Sequence, residues 1–114
     1  MDETLQNQLA YLAAQIQLYK ETDIMDGAQL TEILQQVTAT LFFLENERSI
    51  FHDKYQTKIN QLVLSGSSVN KAENIANVEF PEMYKLRHIM TSAYECVGAI
   101  RTMISYIKSE RNNA

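Results

Sequence analysis

Between residues 83 and 107 apolar side chains fall at Met83, Leu86, Met90, Ala93, Val97, Ile100, Ile104 and Ile107, in alternating steps of three and four with no charge on the line. That spacing puts all of them on one stripe of an α-helix, and such a stripe needs a second helix to cover it. A longer line, Leu30, Leu34, Val37, Leu41, Leu44, Arg48, Phe51, Tyr55, Lys58 and Leu62, keeps the same rhythm. A third and shorter one runs through Leu5, Leu9, Leu12, Ile16 and Tyr19. The pattern predicts amphipathic helices over about 4–21, 28–64 and 81–110. At ~1.5 Å per residue the middle helix would reach roughly 55 Å, which suits a coiled-coil-like hairpin better than a compact domain.

Breaks between the lines are equally legible. Thr22, Asp23, Asp26 and Gly27 stop the first helix. Asp26 with Gln29 resembles a capping box, in which side chains satisfy backbone donors left open at a helix start. The polar stretch at residues 45–49 puts Arg48 on the seam of the second helix, where a bend or a register-fixing contact is expected. Residues 65–68 read Ser-Gly-Ser-Ser, a stop signal. Asn70 and Glu73 form another candidate capping box, opening a short helix through Ala72, Ile75 and Ala76. Phe80 precedes Pro81 and is pushed out of helical geometry, while Pro81 suits the first turn of the last helix. Asn112, Asn113 and Ala114 should fray. The expected fold is all-α, a single domain over residues 1–114. In it the second and last helices form a long antiparallel hairpin, the first packs across one end, and a short helix connects the long pair.

Composition narrows this further. With 114 residues, 46% hydrophobic and 21% charged, the chain can build one core, and three glycines and one proline leave too few turns for a many-stranded sheet. The net charge of −4 is uneven: residues 1–32 hold Asp2, Glu3, Glu21, Asp23, Asp26 and Glu32 against Lys20 alone. Across residues 48–72, by contrast, Arg48, Lys54, Lys58 and Lys71 face only Asp53. The single Cys96 excludes an internal disulfide and fits a reducing cytoplasm. No apolar run approaches the ~18 residues of a membrane span, and the first residues lack the features of a signal peptide. No membrane association is expected.

Catalytic chemistry finds no foothold. His52 and His88 have no second ligand at helical spacing, the serines at 65–68 lack a nucleophile elbow or phosphate-binding loop, and Glu45 and Glu47 point to different sides of a helix. No catalytic residue, cofactor or metal is therefore assigned, and a non-enzymatic protein is expected. Interaction surface is better represented. Ile89, Cys96 and Met103 recur every seven residues beside the main seam of the last helix, and Phe42, Phe43 and Ile50 stand away from the seam of the second. Either the first helix covers these groups or another molecule does. Tyr84, Tyr94 and Tyr106 fall outside the seam, as rim residues or snorkelling side chains, and Gly98 suggests close approach of another backbone. Lys54, Lys58, Lys71, Lys85 and Arg87, with Tyr55, would gather at the hairpin tip, as a contact for single-stranded nucleic acid or as a solvated polar end.

The runs Lys71-Ala72-Glu73, Pro81-Glu82-Met83-Tyr84-Lys85-Leu86-Arg87 and Val97-Gly98-Ala99-Ile100-Arg101, with Ile104 and Lys108, resemble the carboxy-terminal half of small helical bacteriophage proteins. Some of these are similar to the phage recombination-mediator family, and the likeness covers residues 51–110. The resemblance implies a homo-oligomer that helps load a recombinase onto single-stranded DNA. The expected function is therefore an assembly protein that self-associates through apolar helix faces, as an accessory in DNA recombination. The alternative is a small phage inhibitor of host defence that binds a host protein, or a small nucleotide between subunits.

Overall fold

The computed structural model describes residues 3–113. These form four helices, α1 (Glu3–Glu21), α2 (Gly27–Leu64), α3 (Val69–Glu79) and α4 (Glu82–Asn113), and no strand. Each boundary has a local cause. Asp26 caps α2 by accepting a 3.0 Å hydrogen bond from the Gln29 amide. At the other end the amides of Gly66 and Ser67 turn back to the carbonyls of Val63 and Leu62, both at 3.0 Å. This closing pattern requires a left-handed residue, and Gly66, at φ 102°, supplies it.

The cap of α3 is Ser68, whose hydroxyl accepts from the Lys71 amide at 3.2 Å, rather than Asn70. The tight turn at Gly66 ends two residues earlier than a cap at Asn70 would require. Phe80, at φ −122° and ψ 65°, leaves helical geometry ahead of Pro81 as expected, and α4 starts at Glu82. At the far end α4 continues to Asn113 instead of fraying from Asn112, because no glycine or proline stops it; Ala114 lies outside the described residues.

The long hairpin is antiparallel, and its return path has two pieces. Gly27 and Ile107 line one hollow, Tyr94 hydrogen-bonds Glu45, Tyr55 hydrogen-bonds Asn77, and Lys58 pairs with Glu79. Thus α4 runs back along the first part of α2, and α3 runs back along its distal part. The short helix is not a linker beyond the hairpin but its outer arm. The first helix lies antiparallel alongside the first part of α2, with the Tyr11 hydroxyl donating to Gln36 at 2.7 Å, rather than across one end. The short turn at residues 22–26 returns the chain, and burial of Leu5, Leu9 and Leu12 holds α1 against α2 and α4. The molecule measures 68 × 28 × 19 Å.

All three apolar lines meet in one core of Leu5, Leu9 and Leu12 from α1, Leu30, Val37, Leu41 and Leu44 from α2, and Leu86, Met90, Ala93, Val97 and Ile100 from α4. Each fully buried leucine or isoleucine there contributes on the order of 1.5–3 kcal/mol. With α1 and α4 side by side on α2, its buried face widens to take in Ile33 and Thr40, which lie off the predicted line. Arg48 causes no break: α2 is continuous, and the guanidinium turns outward to Glu45 at 3.0 Å. Gly98 faces open space, with no atom within 4 Å of where a Cβ would stand, so no backbone approaches it.

Candidate interaction surface

Two environments follow from this packing. Up to about residue 45, α2 is flanked by both α1 and α4; the start of α4 stays with it as far as Phe51, and α3 accompanies the rest. In the outer arm the buried side chains are Ile59, Ala72 and Ala76, with Tyr55 and Leu62 half-buried beside them. The arm also carries much apolar surface. Leu64 is 88% and Val78 83% exposed, with Val63, Val69 and Ile75 less so.

The six expected interface residues divide between core and surface. Phe42 is 84% and Ile50 41% exposed. Phe43 is half-buried against the core and lines a shallow hollow with Asn7 and Tyr11 of α1. Cys96 is buried, and Ile89 and Met103 pack half-buried on the same core, so the column of three on α4 is covered within one chain. Burial pushes the Cys96 thiol above its ordinary pKa, as expected of a packing cysteine. Sequence reading passed over Leu64 and Val78, since Leu64 adjoins a stop signal and Val78 lies in a helix too short to show a face.

Position along α2 explains why Ile50 is bare. Gln36, Thr40 and Phe43 lie beside α1. In steps of four and three the same line continues through Glu47, Ile50 and Lys54, beyond the start of α1, and there Ile50 and Lys54 are exposed. The line is an open lane, one helix wide, next to the arm.

The basic residues do not gather at the tip. Lys71, in the first turn of α3, stands nearest the turn at 65–68, whereas Lys85 and Arg87 belong to the start of α4, roughly 20 Å back along the return path at ~1.5 Å per residue. Lys58 meets Glu79 at 3.2 Å, and the Lys54 ammonium lies 5.6 Å from the centre of the Phe51 ring. Lys85 lines a groove of about 640 Å³ between α1 and α4, floored by Leu9, Ala10, Ala13 and Ile89. Tyr84 and His88, 6.2 Å apart and nearly parallel, stack on its rim.

One polar cluster ties α4 to α2. The Tyr94 hydroxyl donates to Glu45 at 2.5 Å, and Arg48 reaches the other carboxylate oxygen. The Tyr94 hydrogen bond, aided by Arg48, holds the Glu45 carboxyl below its ordinary pKa, and the same bond pushes Tyr94 up. Tyr106 is half exposed near the end of α4. Among the described residues no group of three histidines, cysteines and carboxylates could hold a metal ion, and no helix is long and apolar enough to cross a membrane. Comparison with known proteins finds no matching family model, no matching curated protein and no matching solved structure.

Proposed function

We propose that this chain is a non-enzymatic helical assembly protein that associates with copies of itself through the apolar surface left bare along its outer arm. The observation that supports this most is Ile50, 41% exposed on a lane that α1 covers in the other half of the same helix. Leu64 and Val78 add exposed apolar area on the arm, and Phe42 adds more on the bundle half of α2; apolar area of this kind marks an interface where it forms one patch. A role as an accessory in DNA recombination rests on the resemblance alone, and the spread of Lys54, Lys71, Lys85 and Arg87 gives single-stranded DNA no concentrated basic track.

Native mass by light scattering at micromolar concentration tests the reading. The unaltered chain is expected to exceed one copy, and Ile50→Glu to reduce it to one copy with unchanged helical circular dichroism. An oligomer indifferent to Ile50→Glu would remove that lane from the interface. A second reading, an inhibitor that takes a host protein, draws on the α1–α4 groove and its Tyr84–His88 stack. A single-chain mass for the unaltered protein would favour it.

A further inference from the structure

We infer that the assembly is built on an antiparallel dimer in which α1 of each copy lies in the open lane of the other copy's arm. This rests on the self-association proposed above and specifies its partner surface. Steps of four place Ile50, Lys54 and Lys58 along one border of the lane on α2, and Lys71, Ile75 and Glu79 in a row on α3. The Lys58–Glu79 ion pair shows that the two rows face each other across the same side of the arm. The lane therefore offers an isoleucine from each helix and three ammonium groups against two carboxylates, Glu47 and Glu79.

The chain carries one element complementary to it. The outer face of α1 presents Ala14 and Glu21, with Ala10 at its border toward α4 and Leu18 at its border toward α2, all exposed, and leads into Asp23 and Asp26 of the turn. Small side chains let a second helix approach closely, and the acidic end answers the basic arm. Lengths agree: α1 has 19 residues, about 28 Å, and the part of α2 that lies beyond α1, from Glu47 to Leu64, spans about 27 Å.

Orientation is then dictated by the fold. Because α1 runs antiparallel to α2, its amino terminus points toward the arm of its own chain. A two-fold axis at that point sets the second α1 in line with the first, start to start, and carries its acidic turn to the tip, beside Lys71. Glu3 in the first turn of each α1 offsets the positive helix ends that meet at the axis. Such an interface is isologous and closed.

Two double variants test this pairing by sedimentation or light scattering, with circular dichroism confirming the fold. Lys54→Glu with Lys71→Glu, and separately Glu21→Lys with Asp23→Lys, set like charges against each other and are expected to weaken dimerisation by roughly a hundredfold or more. An equimolar mixture of the two variants should recover the dimer, since every arm then meets a turn of opposite charge. A dimer that tolerates either reversal alone, or a mixture that stays monomeric, would overturn the arrangement while leaving self-association standing. An unaltered protein that is monomeric throughout would remove both.

Discussion

The two halves of α2 obey one spacing rule and live in different surroundings. Between Leu30 and Leu44 its apolar line is enclosed by leucines, methionine and isoleucine from two other helices. Between Tyr55 and Leu62 the same rhythm meets only α3, whose buried contribution is Ala72 and Ala76. An alanine offers a single methyl, and at about 0.8 kcal/mol per buried carbon group the arm gains far less than the bundle. Its polar ties, Tyr55 to Asn77 at 2.9 Å and Lys58 to Glu79 at 3.2 Å, are exposed, and such pairs add little. Heptad spacing thus tells where a helix wants cover but not how much it receives.

The sharpest way to break this comparison is at its strong end. Ile100, fully buried where α4 meets the core, should not accept a charge: Ile100→Asp is expected to cost several kcal/mol and unfold the chain, read from its thermal melt. A folded variant with an unchanged melting temperature would mean that the seam is not the core.

At the weak end, Ile59→Ala should remove about 2 kcal/mol, felt mainly by the arm. Hydrogen exchange would show amides of α3 opening faster in the variant while those at the centre of α4 keep their protection. If α3 is already protected as well as α4 in the unaltered monomer, the two halves do not differ in stability as argued.

Smallest of all is the Glu45–Tyr94 tie at the border between the halves. Glu45→Gln should cost under about 1 kcal/mol at neutral pH, because both groups are accessible to water. The carboxyl is lowered from its ordinary 4.5, so its contribution is complete above that pH and fades as pH falls through the lowered value. Tyr94 is raised above 10.0, so its contribution is present below that pH and is lost as alkali ionises the phenol. Urea titrations of the unaltered chain and Glu45→Gln should therefore converge in acid; a constant gap would place the effect elsewhere.

Only part of the candidate surface was legible in the spacing of apolar residues. Phe43 and Ile50 stand seven residues apart on a side of α2 away from its seam, with Phe42 nearby; Phe42 and Ile50 are exposed, while Phe43 is half-buried. Ile89, Cys96 and Met103 were ambiguous because a second stripe on a helix says only that something covers it, and in this chain α1 does. The Asp26 cap, the break at Phe80-Pro81 and the stop at residues 65–68 came from backbone chemistry that acts over a few residues. Ser68 was missed for the same reason in reverse: several polar residues in a row can each cap a helix, and the geometry of the turn chooses among them.

Periodicity alone settled that the chain is helical, which face of each helix is apolar and roughly where each begins, since these depend on neighbours three or four residues apart. Which helix covers which length of α2 belonged to the tertiary structure. That outcome depends on the tight Gly66 turn, which sends the chain straight back, and on a short α1 that reaches only halfway along. Local spacing carries no information on where a partner helix runs out, and it is there that the bare lane on the arm arises.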